Sequence, residues 1–179
     1  MGGFGGAIKN ISIGIASQNG KMYIHSAGHS DSSWNGGTQD QFLESMAEAA
    51  QAVHNDKQQD GGIVYISVMN NLSVDCDCDA NPAAPEMHDV GILASYDPVA
   101  LDQACVDIVY NTDIDESGAL RERIESRNGL HTLENAEKIG LGSQAYHLVS
   151  IDAWNAGSCR TSLLCGGRLF AGGEIDETT

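Results

Sequence analysis

Apolar residues recur along this chain with two different periods. Residues 11–16 (Ile-Ser-Ile-Gly-Ile-Ala) are apolar at every second position, which predicts a half-buried strand. Residues 21–26 (Lys-Met-Tyr-Ile-His-Ser) predict its partner. Asn19-Gly20 between them accepts the positive φ of a tight turn, so a hairpin is expected. Residues 27–37 are polar and glycine-rich, as in a loop. From 39 to 54 the period lengthens, and Phe42, Met46, Ala49, Ala50 and Val53 share one helical face. Thr38 with Gln41 three residues later predicts a capping box at its start. Residues 62–69 are β-branched and almost continuously apolar, which predicts a buried central strand.

A loop over 70–87 carries two prolines and precedes a shorter apolar strand at Val90–Ser95. Asp97-Pro98 then places an N-cap and a first-turn proline in succession. Leu101, Cys105, Ile108 and Val109 give the buried face of the helix that follows. A polar break at 111–115 leads to a helix near 116–126. Another helix is expected over 132–139, capped by Thr132 and stopped by Gly140. Tyr146–Ile151 predicts a last strand. The order β-β-α-β-β-α-α-α-β predicts an α/β domain, a layered mixed β-sheet with flanking helices, over residues 1–152. Residues 153–179 mix Gly, Ser, Cys and Arg without periodicity and are expected to form an irregular tail.

Charge narrows the choice of partners. Twenty-five acids stand against nine bases, a formal net charge of −16. Such a surface repels phosphate backbones and anionic lipid, so neither nucleic acid nor membrane is expected. No apolar run approaches the roughly 20 residues that span a bilayer, and no basic stretch followed by an apolar core opens the chain. Five cysteines, an odd number, argue against a disulfide framework and for a reducing cytoplasm.

The candidate chemistry lies in Asp75-Cys76-Asp77-Cys78-Asp79. Thiols two residues apart point the same way in extended backbone, so they can grip one soft metal or one edge of an iron–sulfur cluster. They do not complete a tetrahedral site. His88, His25, His29, Cys105, Asp75 and Asp79 are further donors. His88 is favoured if strands 62–69 and 90–95 pair antiparallel, because the loop then returns to where it left. A parallel pair would instead bring Asp97 to the edge that holds Asn70. Interleaved carboxylates disfavour a thiolate, and a bound cation reverses that preference. Asn70 and Asn71 are placed to donate hydrogen bonds to sulfur. Cys105 lies on its helix's apolar stripe and is expected in the core, and Asp102 is expected on the polar side. The glycines at 2–6, with Lys9 nearby, lack the phosphate-loop pattern and precede an expected strand.

Four stretches resemble the domain of unknown function 362 family. They are Gly2-Gly-Phe-Gly-Gly-Ala-Ile-Lys-Asn10, Val68-Met-Asn through Cys76-Asp-Cys78, Asp89 through Ala104-Cys105, and Leu130-His through Glu137-Lys-Ile-Gly-Leu-Gly142. The resemblance implies an uncharacterised protein related to iron–sulfur centre proteins, many of which carry a ferredoxin-like insert with four-cysteine motifs. That insert would fall between His25 and Trp34, where this chain has a short loop without cysteine. Ile15 stands where some relatives have cysteine. The family domain begins upstream, so the chain is expected to be its carboxyl-terminal portion, an incomplete domain. The function expected is a metal- or iron–sulfur-binding redox protein, with Cys76, Cys78 and His88 as ligands and a redox protein or the missing amino-terminal half as partner. The alternative is a non-enzymatic acidic interaction module or a gene fragment without independent activity.

Overall fold

The computed structural model describes residues 3–76 and 79–151, together with the backbone of 167–172. Helices come first: α1 (Ala7–Lys9), which widens into a π-type turn over Asn10–Gly14, then α2 (Gln18–His25) and α3 (Gln39–Gln58). Strands β1 (Tyr65–Met69) and β2 (Gly91–Ser95) follow. After them come α4 (Pro98–Asn111), α5 (Ile114–Ser126), α6 (His131–Lys138), β3 (His147–Ser150) and β4 (Gly167–Gly172). The strands form one mixed sheet in the order β1-β2-β4-β3. β1 runs antiparallel to β2 with Ser67 opposite Leu93, β4 parallel to β2, and β3 antiparallel to β4. The α/β class expected from the sequence is therefore the one observed. β4 lies inside the stretch expected to be an irregular tail, and its backbone joins β2 to β3.

The helices form where capping and periodicity agree. Thr38 accepts from the Gln41 N–H at 3.3 Å while the Gln41 side chain accepts from the Thr38 N–H at 3.0 Å, the reciprocal box that starts α3. Phe42, Leu43, Met46, Ala47 and Ala50 make the buried face of α3. Asp97 Oδ1 accepts from the N–H groups of Val99 and Ala100 at 2.8 and 3.0 Å and begins α4. α4 packs on the sheet, and Leu93 and Leu101 are completely buried between them. Gly140, with φ 79°, ends α6: the Leu141 N–H donates back to the Ala136 carbonyl at 2.9 Å.

Three expectations are overturned. Residues 11–26 form no hairpin. Ser17 Oγ accepts from the Gly20 N–H at 3.2 Å, which makes Ser17 an N-cap and puts Asn19 and Gly20 in the first turn of α2. Burial there follows a helical period: Ile8 and Ser12 are buried one turn apart, while Ile15 is exposed. β1 is an end strand of the sheet, not a central one. Its Tyr65 and Met69 are buried, whereas Ile66 and Val68 are 65 % and 59 % exposed on the other face. Thr132 is a buried residue within α6, whose N-cap is Leu130.

Candidate functional site

The chain leaves β1 at Asn70 and returns at Asp89, because β1 and β2 are antiparallel. A clasp closes the neck of this loop. Asn70 Nδ2 donates to Asp89 Oδ2 at 2.7 Å, and the Asn71 N–H donates to Oδ1 at 2.8 Å. The Val90 N–H donates to the Met69 carbonyl at 2.9 Å. Asn71 takes a left-handed backbone, φ 50°, to make the turn, and its side-chain amide donates to Asn70 Oδ1. Further out, the loop folds on itself. Ser73 Oγ donates to the Ala83 carbonyl at 2.8 Å, and the Ala83 N–H donates to Asp75 Oδ2 at 2.9 Å.

This loop walls one side of a cavity of about 500 Å³. The opposite wall is the glycine turn at 3–6 with α1, and the remainder comes from β1, α4 and α5. Lys9, Asn10, Cys76, Cys105 and Arg123 face it from four of these elements. Lys9 Nζ donates to Cys76 Sγ at 3.5 Å. An ammonium beside a sulfur favours the thiolate. Arg123 Nη2 lies 3.2 Å from Asp75 Oδ1 and offsets the nearest carboxylate on the thiol's chain. Two of the chain's nine bases are thus spent at one acidic loop.

Beneath this surface sits Asp102, 1 % exposed. It was expected on the polar side of α4. It is buried because α4 is apolar almost all round: Val99, Ala100, Leu101, Ala104 and Val106 are buried with it. Its carboxylate accepts from the N–H groups of Ala7 and Ile8 at 2.7 and 3.0 Å, and so caps α1 from outside that helix. Burial pushes the Asp102 carboxyl up to about 7, against the two N–H groups, which favour its charged form. One turn on, Cys105 is held up to about 12, chiefly by burial and then by the nearby Asp102 carboxylate, against a hydrogen bond with Ser67. A thiol held that high stays protonated, which suits the core role expected of it.

The expected site residues are brought together only in part. Cys76, Asn70 and Asn71 line the cavity. The side-chain amides of the two asparagines are turned to Asp89 and to each other. Cys78 lies outside the described residues. His88 does not line the cavity: its Nδ1 is 2.5 Å from Glu116 Oε2 on α5, and its N–H donates to the same oxygen at 3.1 Å. Glu116 is held below the usual carboxylate range by these bonds. His25 ends α2, stacked on Phe42 and edge-on to Trp34, away from the loop. Among the described residues, no three Cys, His, Asp or Glu side chains converge to hold an ion. Sequence reasoning missed Arg123 and the link from Asp102 to Lys9. The signal that could have found Asp102 was an acid set among Val99, Ala100, Leu101, Ala104 and Val106 of α4.

A family model described as Domain of unknown function (DUF362) matches residues 1–107, more than half of the chain's 179 residues. The chain belongs to this family. No curated protein and no solved structure matches it. The glycine turn, Lys9, the Cys76 loop and Asp102 all fall within the part matched by the DUF362 model. Among the described residues, no helix is long and apolar enough to cross a membrane.

Proposed function

We propose that this DUF362 protein binds a soft metal ion or an iron–sulfur cluster and serves as a redox protein, with Cys76 and Cys78 as its thiolate ligands. The observation that supports this best is the Lys9 ammonium 3.5 Å from Cys76 Sγ at the wall of the cavity. Together with Arg123 on Asp75, it offsets part of the repulsion between a thiolate and the neighbouring aspartates. The described residues do not supply a full ligand set, so two thiols are the part of the site this chain is argued to give. His88 is the further ligand we favour. A ligating imidazole commonly has its other ring nitrogen fixed by a carboxylate, and Glu116 at Nδ1 leaves Nε2 as the coordinating atom. When bound, a cluster supplies one-electron transfer, and the partner is then a redox protein.

Oxygen-free preparation followed by elemental analysis and an absorption spectrum tests the reading. Stoichiometric metal is expected, with loss of it in the Cys76→Ser, Cys78→Ser double variant. Metal content unchanged in that variant would reject the proposal.

A second reading is an acidic α/β interaction module without catalysis. The outer face of the sheet favours it, since Val64, Ile66, Val68 and Val149 are exposed there. Residues 61–74, which include β1, contain no charged side chain in a chain of net charge −16. An uncharged apolar stretch at the end of a sheet selects another such stretch, and a second copy of this chain brings one by symmetry.

A further inference from the structure

We infer that the cavity is a slot along the open edge of β1, and that it takes an extended peptide, an apolar segment flanked by basic residues, paired to β1 as an added strand. The lining gives the slot its direction. Ile66, Ser67, Val68 and Met69 all border it. Consecutive residues of a strand point to opposite faces, so a space that touches four in a row lies beside the strand and not over one face. β2 takes one edge of β1, and among the described residues no strand takes the other. The backbone N–H and C=O groups along such an edge are a template for another extended chain.

The other walls suit a strand. Val106 and Val109 of α4 and Leu120 and Ile124 of α5 form an apolar floor, so the helix layer reaches past the end of the sheet. Across from β1 stands the glycine turn. Packing requires Gly3 and Gly6, where a Cβ would lie 2.7 Å from the Gly129 Cα and 2.6 Å from the Asp102 carboxylate oxygens. Gly5 is different. It borders the cavity, a Cβ there would meet nothing within 4 Å, and its backbone is not left-handed. Neither packing nor conformation asks for glycine at that position, and the missing side chain leaves room for a second backbone to come close. Charge sets the character of the occupant. Residues 61–74 carry no charged side chain, and Arg123 and Lys9 are engaged by Asp75 and Cys76 at the loop end of the cavity. The part of the occupant that lies along β1 is therefore uncharged. The molecule beyond carries a net charge of −16, so the flanking residues are basic. A cavity of about 500 Å³ with walls on both sides admits a lone segment, whereas a second copy would bring its own glycine turn into the same space.

The test is a random-peptide phage library panned on the full-length protein, with affinities then measured for the synthetic peptides it yields. Selected peptides are expected to alternate apolar and small polar residues between lysines or arginines, and to bind more weakly as salt rises. With such a peptide bound, amide hydrogen exchange over Ile66–Met69 is expected to slow by about tenfold or more. Each peptide is also made in two forms, N-methylated on one or the other alternate set of backbone nitrogens. The form methylated toward β1 is expected to lose about tenfold or more in affinity, and the other to keep it. Gly5→Trp is expected to melt like the wild type and to lose peptide binding. If Gly5→Trp does not fold, the methylated pair decides. No enriched peptide, unchanged exchange over Ile66–Met69, or equal binding of the two methylated forms overturns the inference. So does a wild-type dimer that Gly5→Trp returns to monomer, which would give the slot to a second copy. None of these readouts needs bound metal, so failure of the metal proposal leaves the inference intact and the reverse.

Discussion

Burial and hydrogen bonding pull the Asp102 carboxyl in opposite directions, and burial wins, carrying it from 3.8 to about 7 with some help from the Asp97 charge. The sign of the consequence follows. The folded state holds this proton more tightly than the unfolded state, so the contribution to stability is complete below about pH 4. It is lost as the pH rises to about 7 and is level beyond that. Three units correspond to roughly 4 kcal/mol at most. Denaturant unfolding across this range should show the wild type losing stability relative to Asp102→Asn as pH rises. The difference should flatten above about 7. A difference independent of pH would mean that the carboxyl is ionised throughout.

Among the elements, α3 rests on the clearest local code. Thr38→Ala removes one half of the capping box and should cost about 1 kcal/mol, read as a lower denaturant midpoint at unchanged slope. Thr38 with Gln41, and Asp97 with Pro98, were legible because a cap needs only neighbours in sequence. The amino-terminal helices were not. Ile11, Ile13 and Ile15 carry a strand's alternation, but the first turn at Ala7 and Ile8 is capped by a residue 95 positions away. The site divides in the same way. The Cys-x-Cys loop and its return at Asp89 follow from antiparallel pairing, whereas Lys9 meets Cys76 across 67 residues and nothing local announces it. The end position of β1 was likewise hidden, since an apolar run is the same in a central strand and in one whose second face is open.

For the whole molecule, net charge −16 and the uncharged, apolar stretch 61–74 set opposing tendencies. If that stretch pairs with a second copy, light scattering after size exclusion should show a dimer that strengthens with salt, as repulsion between the acidic surfaces is screened. Ile66→Lys with Val68→Lys should return it to monomer. A monomer at every salt and protein concentration would remove the second reading. The sheet also owes a quieter property to the clasp of Asn70 and Asn71 on Asp89. That clasp fixes strand alignment at the stem, so the length of chain beyond it is of little account to the fold. Splicing extra residues between Asp79 and Glu86 would cost about 0.6 kcal/mol for each doubling of the loop. The architecture can therefore gain or shed whole segments at its thiol-bearing tip without re-pairing a single strand.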